Sequence, residues 1–275
     1  MPAGLALVDV NGYPLAYQDV GTGTAVVLLH GSFIDYRSWA AQVPVLSKQH
    51  RVLAPSLRHY YPEPWDGQGG DFSVARHADD VATFIQRLEL HRVHLIGHSR
   101  GGAVALTVAR RYPQRIATLV LADPRGLESL LPDTPANREM GFQLRNNFAA
   151  LQRNLAAGNV ERAAREFVDA LGGAGAWERR PMDQKQIFID NLATAVDTGE
   201  FPAIACADIE RFDFPVLLIT GERSPRRYPA MFAAMRACRA SIPAPVTIAG
   251  AAHAMHRENP VSFNAVVLEF LARVA

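Results

Sequence analysis

Gly97-His98-Ser99-Arg100-Gly101 decides how the rest of this chain is read. The pattern G-x-S-x-G puts a serine on a tight turn between a strand and a helix, and the flanks have that character. Before it, Arg92-Val93-His94-Leu95-Ile96 reads as a short buried strand. After it, Gly102-Ala103-Val104-Ala105-Leu106-Thr107-Val108-Ala109-Arg110-Arg111 reads as an alanine-rich helix ending in two cations. The turn holds Ser99 in an unfavourable backbone conformation, and neighbours without a Cβ let strand and helix approach closely.

Outward from this turn the chain alternates strands and helices. Residues 5–10 and 15–20 read as strands joined at Asn11-Gly12, a hairpin signal. Ala25-Val26-Val27-Leu28-Leu29 is a continuous apolar run, as in a strand buried on both faces. Strands are also expected at 51–55 and 116–122, and helices at 39–49 and 73–88. The second of these helices carries Val74, Ala78, Val81, Ile85 and Leu88 on one stripe, with Ser73 as its cap. From about residue 124 to 212 the periodicity is helical: 138–157, 160–171 and 182–196, divided by breakers at Gly158, Gly172-Gly173 and Gly199. The alternation then resumes, with strands at 216–220 and 245–248 and helices at 229–240 and 260–274. The pattern is an α/β core in two parts, 1–123 and 214–275, around a helical insertion at 124–213.

Composition sets outer limits. The 275 residues suit one large α/β domain with an insertion, and 49% are hydrophobic, enough for a sizeable core. A formal net charge of +1 gives no argument for nucleic acid or an anionic membrane surface. The start of the chain lacks a basic stretch followed by a long apolar run, so no signal peptide is expected. No stretch approaches the ~20 apolar residues that span a bilayer. Cys206 and Cys238 are too few for a disulfide framework, and two free thiols in a reducing, cytoplasmic setting are expected.

A serine hydroxyl needs a base within reach and an acid that orients the base. The base candidate is His253, in Gly250-Ala251-Ala252-His253-Ala254-Met255-His256, on a loop between the last strand and the last helix. That loop lies at the end of the sheet from which Ser99 emerges. His256 is the lesser candidate. An oxyanion would need two backbone N–H groups. Arg100, after the nucleophile, supplies one; Ser32, in His30-Gly31-Ser32-Phe33, supplies the other, with Phe33 as second choice. No histidine pair has metal-ligand spacing with a carboxylate nearby, and no phosphate or dinucleotide fingerprint is present, so neither metal nor cofactor is expected.

These pieces together resemble the α/β-hydrolase-fold serine hydrolases with a helical cap. The matching residues are His30-Gly31 followed by Trp39, the Gly97 to Gly102 turn, Leu119-Val120-Leu121-Ala122-Asp123-Pro124, and Gly250 to Pro260. The resemblance implies a mostly parallel sheet flanked by helices, and hydrolysis of a small-molecule carboxylic ester or lactone through an acyl-enzyme. It also covers hydrolases of carbon–carbon bonds in dicarbonyl compounds and non-catalytic receptors for small ligands.

Two departures from the family pattern matter. The catalytic acid usually lies three residues past a glycine after the penultimate strand, but that loop reads Gly221-Glu222-Arg223-Ser224-Pro225, with serine in place of aspartate. Asp123, at the end of the strand after the turn helix, is the first substitute, Glu222 the second, and a Ser–His dyad the third. The other departure is the aromatic loop Ser56-Leu57-Arg58-His59-Tyr60-Tyr61-Pro62-Glu63-Pro64-Trp65-Asp66-Gly67, which either packs on the core or lines the entrance. Phe33, Tyr60, Trp65 and Phe142 are the candidate substrate contacts.

Overall fold

The computed structural model describes residues 4–69, 71–196 and 201–274. The breaker at Gly199 and the first three residues of the leader reading lie outside them. Eight strands form one sheet among these residues: β1 (Leu5–Val10), β2 (Tyr13–Val20), β3 (Ala25–Leu29), β4 (Arg51–Pro55), β5 (Val93–His98), β6 (Ile116–Ala122), β7 (Val216–Gly221) and β8 (Val246–Ile248). Their order is β1-β2-β4-β3-β5-β6-β7-β8. β2 is antiparallel to both β1 and β4, and every other pairing is parallel. Asn11 and Gly12 both take positive φ, 56° and 76°, which closes the β1–β2 hairpin with the hand that matches strand twist.

The continuous apolar runs follow from a sheet covered on both faces. Side chains alternate across a strand, so Val27, Leu29, Leu95 and Leu121 enter one core while Val26, Leu28, Ile96 and Val120 enter the other. The first core is closed by α2 (Val74–Arg87), α3 (Arg100–Arg111) and α8 (Arg227–Cys238). The stripe Val74, Ala78, Val81 and Ile85 is buried there, and the Ser73 hydroxyl caps α2 by accepting from Arg76 N–H. The second core is closed by α1 (Val43–Leu46), α9 (Met255–Glu258) and α10 (Pro260–Arg273). The helix expected over 39–49 is instead a 3-10 turn, Tyr36–Trp39, followed by the short α1, whose second residue is Pro44. A proline has no N–H to extend a preceding helix, and it sits well only in a first turn.

Between β6 and β7 the chain forms α4 (Pro135–Ala156), α5 (Val160–Gly172), α6 (Met182–Asp190) and α7 (Cys206–Glu210). The first three, with the segment around Trp177, build a third apolar cluster around Leu144, Phe148, Phe167, Trp177 and Phe188, while Ile209 of α7 joins the first core. One core residue enters it: the fully buried Phe33, whose ring lies 4.9 Å from Phe167 and 5.3 Å from Phe188. Asn191 adds a polar tie, donating from Nδ2 to Asp35 Oδ2 at 2.7 Å, while Tyr61 N–H donates to its Oδ1 at 2.8 Å.

The expectation of two free thiols is corrected. Cys206 and Cys238 form a disulfide, with Cα atoms 4.9 Å apart. Cys206 opens α7 and Cys238 ends α8, and the two helices pack together where the chain returns to the core. That proximity is made by tertiary packing, so a cysteine count carries no trace of it.

Candidate active site

β5 ends at His98 and α3 begins at Arg100, leaving Ser99 between them at φ 52°, ψ −116°. This is a strained conformation for a residue with a Cβ, and its neighbours fix it. Ser99 N–H donates to Ala122 O at 3.1 Å, and Ser99 O accepts from Gly102 N–H and Arg125 N–H, each at 2.9 Å. Gly101 is obligatory: a Cβ there would sit 2.2 Å from Leu29 O and 2.5 Å from His30 O. The Arg100 side chain is fully buried and turned to the core, with its guanidinium 4.5 Å from the Phe72 ring centre and Nη2 3.5 Å from His77 Nδ1. Only its backbone is left to serve the site.

The loop after β3 lies directly beside the serine. A Cβ on Gly31 would fall 3.1 Å from Ser99 Cβ and 2.9 Å from His98 Nδ1. His30 holds this loop: its Nδ1 donates to Gly31 O at 2.9 Å, and its Nε2 accepts from Leu57 N–H at 2.9 Å. Both nitrogens are thereby used by the neutral ring, and burial pushes its pKa down to about 4. Ser32 lines the same cavity as Ser99.

Asp123 stands immediately after β6, with φ 41°, fully buried and tied to β7 by its N–H donating to Ile219 O at 3.0 Å. Its Oδ2 lies 3.3 Å from His253 Nδ1. The same oxygen accepts from the Ser224 hydroxyl at 2.5 Å, and the Ser224 oxygen in turn accepts from Gly221 N–H at 3.1 Å. Burial raises the Asp123 carboxyl to about 8, against the opposing hydrogen bonds of Ser224 and Thr220 and the charge of Arg227. Glu222 is exposed, and its Oε2 accepts from Gly250 N–H at 2.8 Å; no hydrogen bond joins it to His253 among the described residues.

His253 is held from three sides. Asp123 meets Nδ1, the Tyr228 ring stacks on it at 5.1 Å and 9°, and His98 Nε2 donates to its backbone carbonyl at 2.8 Å. A carbonyl only accepts, so His98 carries its proton on Nε2. Burial, then the charges of Arg227, Arg125, Arg257 and Arg180, lowers the His253 pKa well below the usual histidine value. The ring is therefore a neutral base near pH 7. His256 packs behind His98, with its ring 4.5 Å from His98, 4.6 Å from Trp39 and 6.0 Å from Phe263.

Ser99, His253 and Ser32 line one cavity of about 350 Å³ beneath the helical segment. Its apolar side comes from Leu144, Phe148, Phe167 and Phe188, and its polar side is rich in arginine. The four candidate substrate contacts stand outside this wall. Phe33 lies behind it in the third cluster, and Tyr60 is buried against His30 with ring centres 4.6 Å apart. Trp65 stacks on His59 at 4.2 Å, while Phe142 is 52% exposed on α4. The supports at His98, Ser224 and Tyr228 escaped sequence reasoning, as did the arginines. For His98 a signal existed, since it is the x of the G-x-S-x-G turn and its place beside the serine is fixed by the motif. Among the described residues no three His, Cys, Asp or Glu side chains converge to hold a metal, and no helix is long and apolar enough to cross a membrane.

A strained serine after a central parallel strand, sharing a cavity with the histidine of a histidine–aspartate pair below a helical segment, has the layout of the α/β hydrolases as a class. The family model described as alpha/beta hydrolase fold matches residues 24–260, and the chain belongs to that family. It is 28% identical over 279 residues to a putative 2-succinyl-6-hydroxy-2,4-cyclohexadiene-1-carboxylate synthase from Bacillus subtilis, covering 98% of each chain. It is 35% identical over 132 residues to a 2-hydroxy-6-oxo-2,4-heptadienoate hydrolase from Pseudomonas putida, a match covering 46% of this chain and 47% of the relative. Among solved structures, a thermophilic esterase from Thermogutta terrifontis, with malate bound, superposes with a TM-score of 0.74 at 26% identity, covering 98% of this chain and 97% of the esterase. The enol-lactonase from Burkholderia xenovorans shares the fold with a TM-score of 0.76 at 21% identity, covering 97% of this chain and all of that one.

Proposed function

We propose that this protein is a serine hydrolase that cleaves a carboxylic ester or lactone through Ser99, His253 and Asp123. The observation that carries the reading is the 3.3 Å approach of His253 Nδ1 to Asp123 Oδ2, with His253 on the wall of the cavity that Ser99 lines. With Nδ1–H turned to the carboxylate, Nε2 is the basic nitrogen. Nε2 takes the Ser99 proton as Oγ attacks the substrate carbonyl. The oxyanion that forms sits against the N–H groups of Ser32 and Arg100, with Phe33 N–H the second choice for the first of these. The Arg100 N–H stands at the N-terminus of α3, where the helix dipole favours an anion. The imidazolium then protonates the leaving alkoxide, and the same nitrogen activates water to hydrolyse the acyl-enzyme. These steps use side-chain and backbone groups alone. In this reading residues 124–213 act as a cap over the core parts 1–123 and 214–275, and its apolar cluster receives the acyl chain.

Hydrolysis of 4-nitrophenyl acetate and butyrate by wild type, Ser99→Ala, Asp123→Asn and Glu222→Gln tests the reading. The first two variants lose about 10³-fold or more, as triad members do, while Glu222→Gln keeps its activity. Collapse of Glu222→Gln with retention by Asp123→Asn would move the acid to Glu222. A second reading, hydrolysis of a carbon–carbon bond in a dicarbonyl compound, is favoured by the Pseudomonas putida relative's name. Inertness toward both esters with turnover of a 2-hydroxy-6-oxo-dienoate would select it.

A further inference from the structure

The chain carries a net charge of +1, yet the wall of this one cavity holds Arg125, Arg179, Arg180, Arg223, Arg227 and Arg257 against a single carboxylate, Glu258, among the described residues. Elsewhere the half-buried Arg37 and the buried Arg58 are each matched by two carboxylates, although Arg236 and Arg239 bond only to backbone carbonyls and Ser241. Arg58 meets Asp80 at 2.8 Å and Asp71 at 2.9 Å, and Arg37 meets Asp35 at 2.7 Å and Asp190 at 2.8 Å. In the cavity only Arg125 has such a partner, Glu128, among the described residues. Among the described residues the half-buried Arg180, Arg227 and Arg257 form no ion pair, nor does the exposed Arg223, and Glu258 Oε2 is occupied by Ala252 N–H at 2.7 Å. The deficit extends to single atoms: Nε and Nη1 of Arg257 and Nε of Arg227 are buried with no hydrogen-bond partner among the described residues.

Burying a guanidinium without a counter-charge is costly, and each donor left unmade adds to the cost. A cavity that keeps several such groups beside a nucleophile is organised for an anion that arrives from outside. The planar guanidinium fork fits a carboxylate through two parallel hydrogen bonds. Opposite the arginines, Leu144, Phe148, Phe167 and Phe188 offer a surface for carbon.

We infer that the substrate is an ester or lactone carrying a free carboxylate, which Arg257, Arg180 and Arg227 hold while its carbonyl faces Ser99. This rests on the hydrolase reading for the reacting bond but on the arginines alone for the acid. Burial pushes Arg257 down to about 9 and Arg180 to about 10, so both remain cations near neutral pH and bind the anion in that form.

The test compares kcat/KM for the 4-nitrophenyl half-ester of glutaric acid with that for 4-nitrophenyl butyrate. Wild type is expected to favour the half-ester by about 10–100-fold, the range that charge-assisted hydrogen bonds supply. Arg257→Gln and Arg180→Gln each lower that ratio about tenfold, and Arg257→Lys restores part of it. Equal or reversed preference in an enzyme that turns over butyrate overturns the inference and leaves the hydrolase reading standing. Melting curves of Ser99→Ala with glutarate, methyl glutarate or inorganic phosphate at matched ionic strength decide the acid site without turnover. Glutarate is expected to raise Tm in Ser99→Ala and not in Ser99→Ala/Arg257→Gln. No shift with glutarate, or an equal one with phosphate, overturns the carboxylate site even if ester hydrolysis is found.

Discussion

The Ser224 hydroxyl donates to Asp123 Oδ2 at 2.5 Å, and that oxygen is the one facing His253 Nδ1. Ser224 occupies the position where the family pattern carries its acid, and Asp123 lies one strand away. The two positions thus converge on a single oxygen. Exchange of the acid between them is therefore geometrically open. Asp123→Ser is expected to lose about 10³-fold or more in kcat/KM. The double variant Asp123→Ser/Ser224→Asp recovers at least about tenfold of that, because a carboxylate rooted at 224 reaches the same nitrogen. Ester kinetics on the single and double variants check this; no recovery would mean that β6 alone presents the acid correctly.

Asp123 also fixes a pH dependence. Its carboxyl is raised to about 8 by burial, whereas His253 is held well below its ordinary value. The side chains facing the pair are Ser224, Thr220 and Tyr228, with Arg125, Arg180, Arg227, Arg257 and Glu258 acting by charge. The limb of kcat/KM for a neutral ester is therefore expected near pH 8, rising with pH as Asp123 ionises, in place of a histidine limb near 6.5. A profile governed by a pKa near 6.5 would contradict it.

The same shift has a stability counterpart with a definite sign. A carboxyl whose folded pKa exceeds its unfolded value binds more protons when folded, so its contribution to stability falls as pH rises from about 4 to about 8. Asp123→Asn removes the ionisation and keeps the shape. The variant is expected to melt above wild type at pH 9, with the gap narrowing as pH falls toward 5, even though its activity is lost. Thermal melts across that range read the sign directly.

Much of this was legible in the sequence, and for physical reasons. Gly97 and Gly101 announce the turn because close backbone approach there admits no Cβ, and β3 is a pure apolar run because both its faces are covered. Asp123 was readable as a candidate acid only through the serine at 224, a local vacancy pointing to a distant substitute. The cavity wall was not legible. Arg125, Arg180, Arg227 and Arg257 come from separate loops and helices, and nothing in a linear pattern distinguishes them from arginines that pair at the surface. Of the two roles open to the aromatic loop, its contacts are with the core side: Tyr60 meets His30 edge-on and lies tilted against Phe72, and Trp65 stacks on His59 and Phe72.

His98 illustrates a support that acts through another residue. Its Nε2–H holds the carbonyl of His253 at 2.8 Å, and its ring centre lies 4.7 Å from the His253 ring centre. His98→Ala removes the donor and loosens the loop that presents the base. The expected effect is a fall of about 10–100-fold in kcat with a smaller change in KM, since the lost hydrogen bond positions the His253 loop. His98→Gln, which keeps a donor, recovers part of the rate; equal losses in both variants would point to packing alone.

The disulfide supplies the last prediction. Cys206 and Cys238 are 32 residues apart in sequence, and the bond closes a loop that joins the end of the helical segment to α8, beside β7. Loop closure of this length removes about 3–4 kcal/mol of unfolded-state entropy, which for a chain of this size is worth roughly 5–10 °C in Tm. Cys238→Ser is therefore expected to melt lower by that amount, and a reductant to lower wild type to the same level without affecting the variant further. Neither cysteine lines the cavity. Ester hydrolysis at 25 °C should consequently survive reduction, so that loss of activity before loss of fold would show that the bond also fixes Tyr228, on α8, against His253.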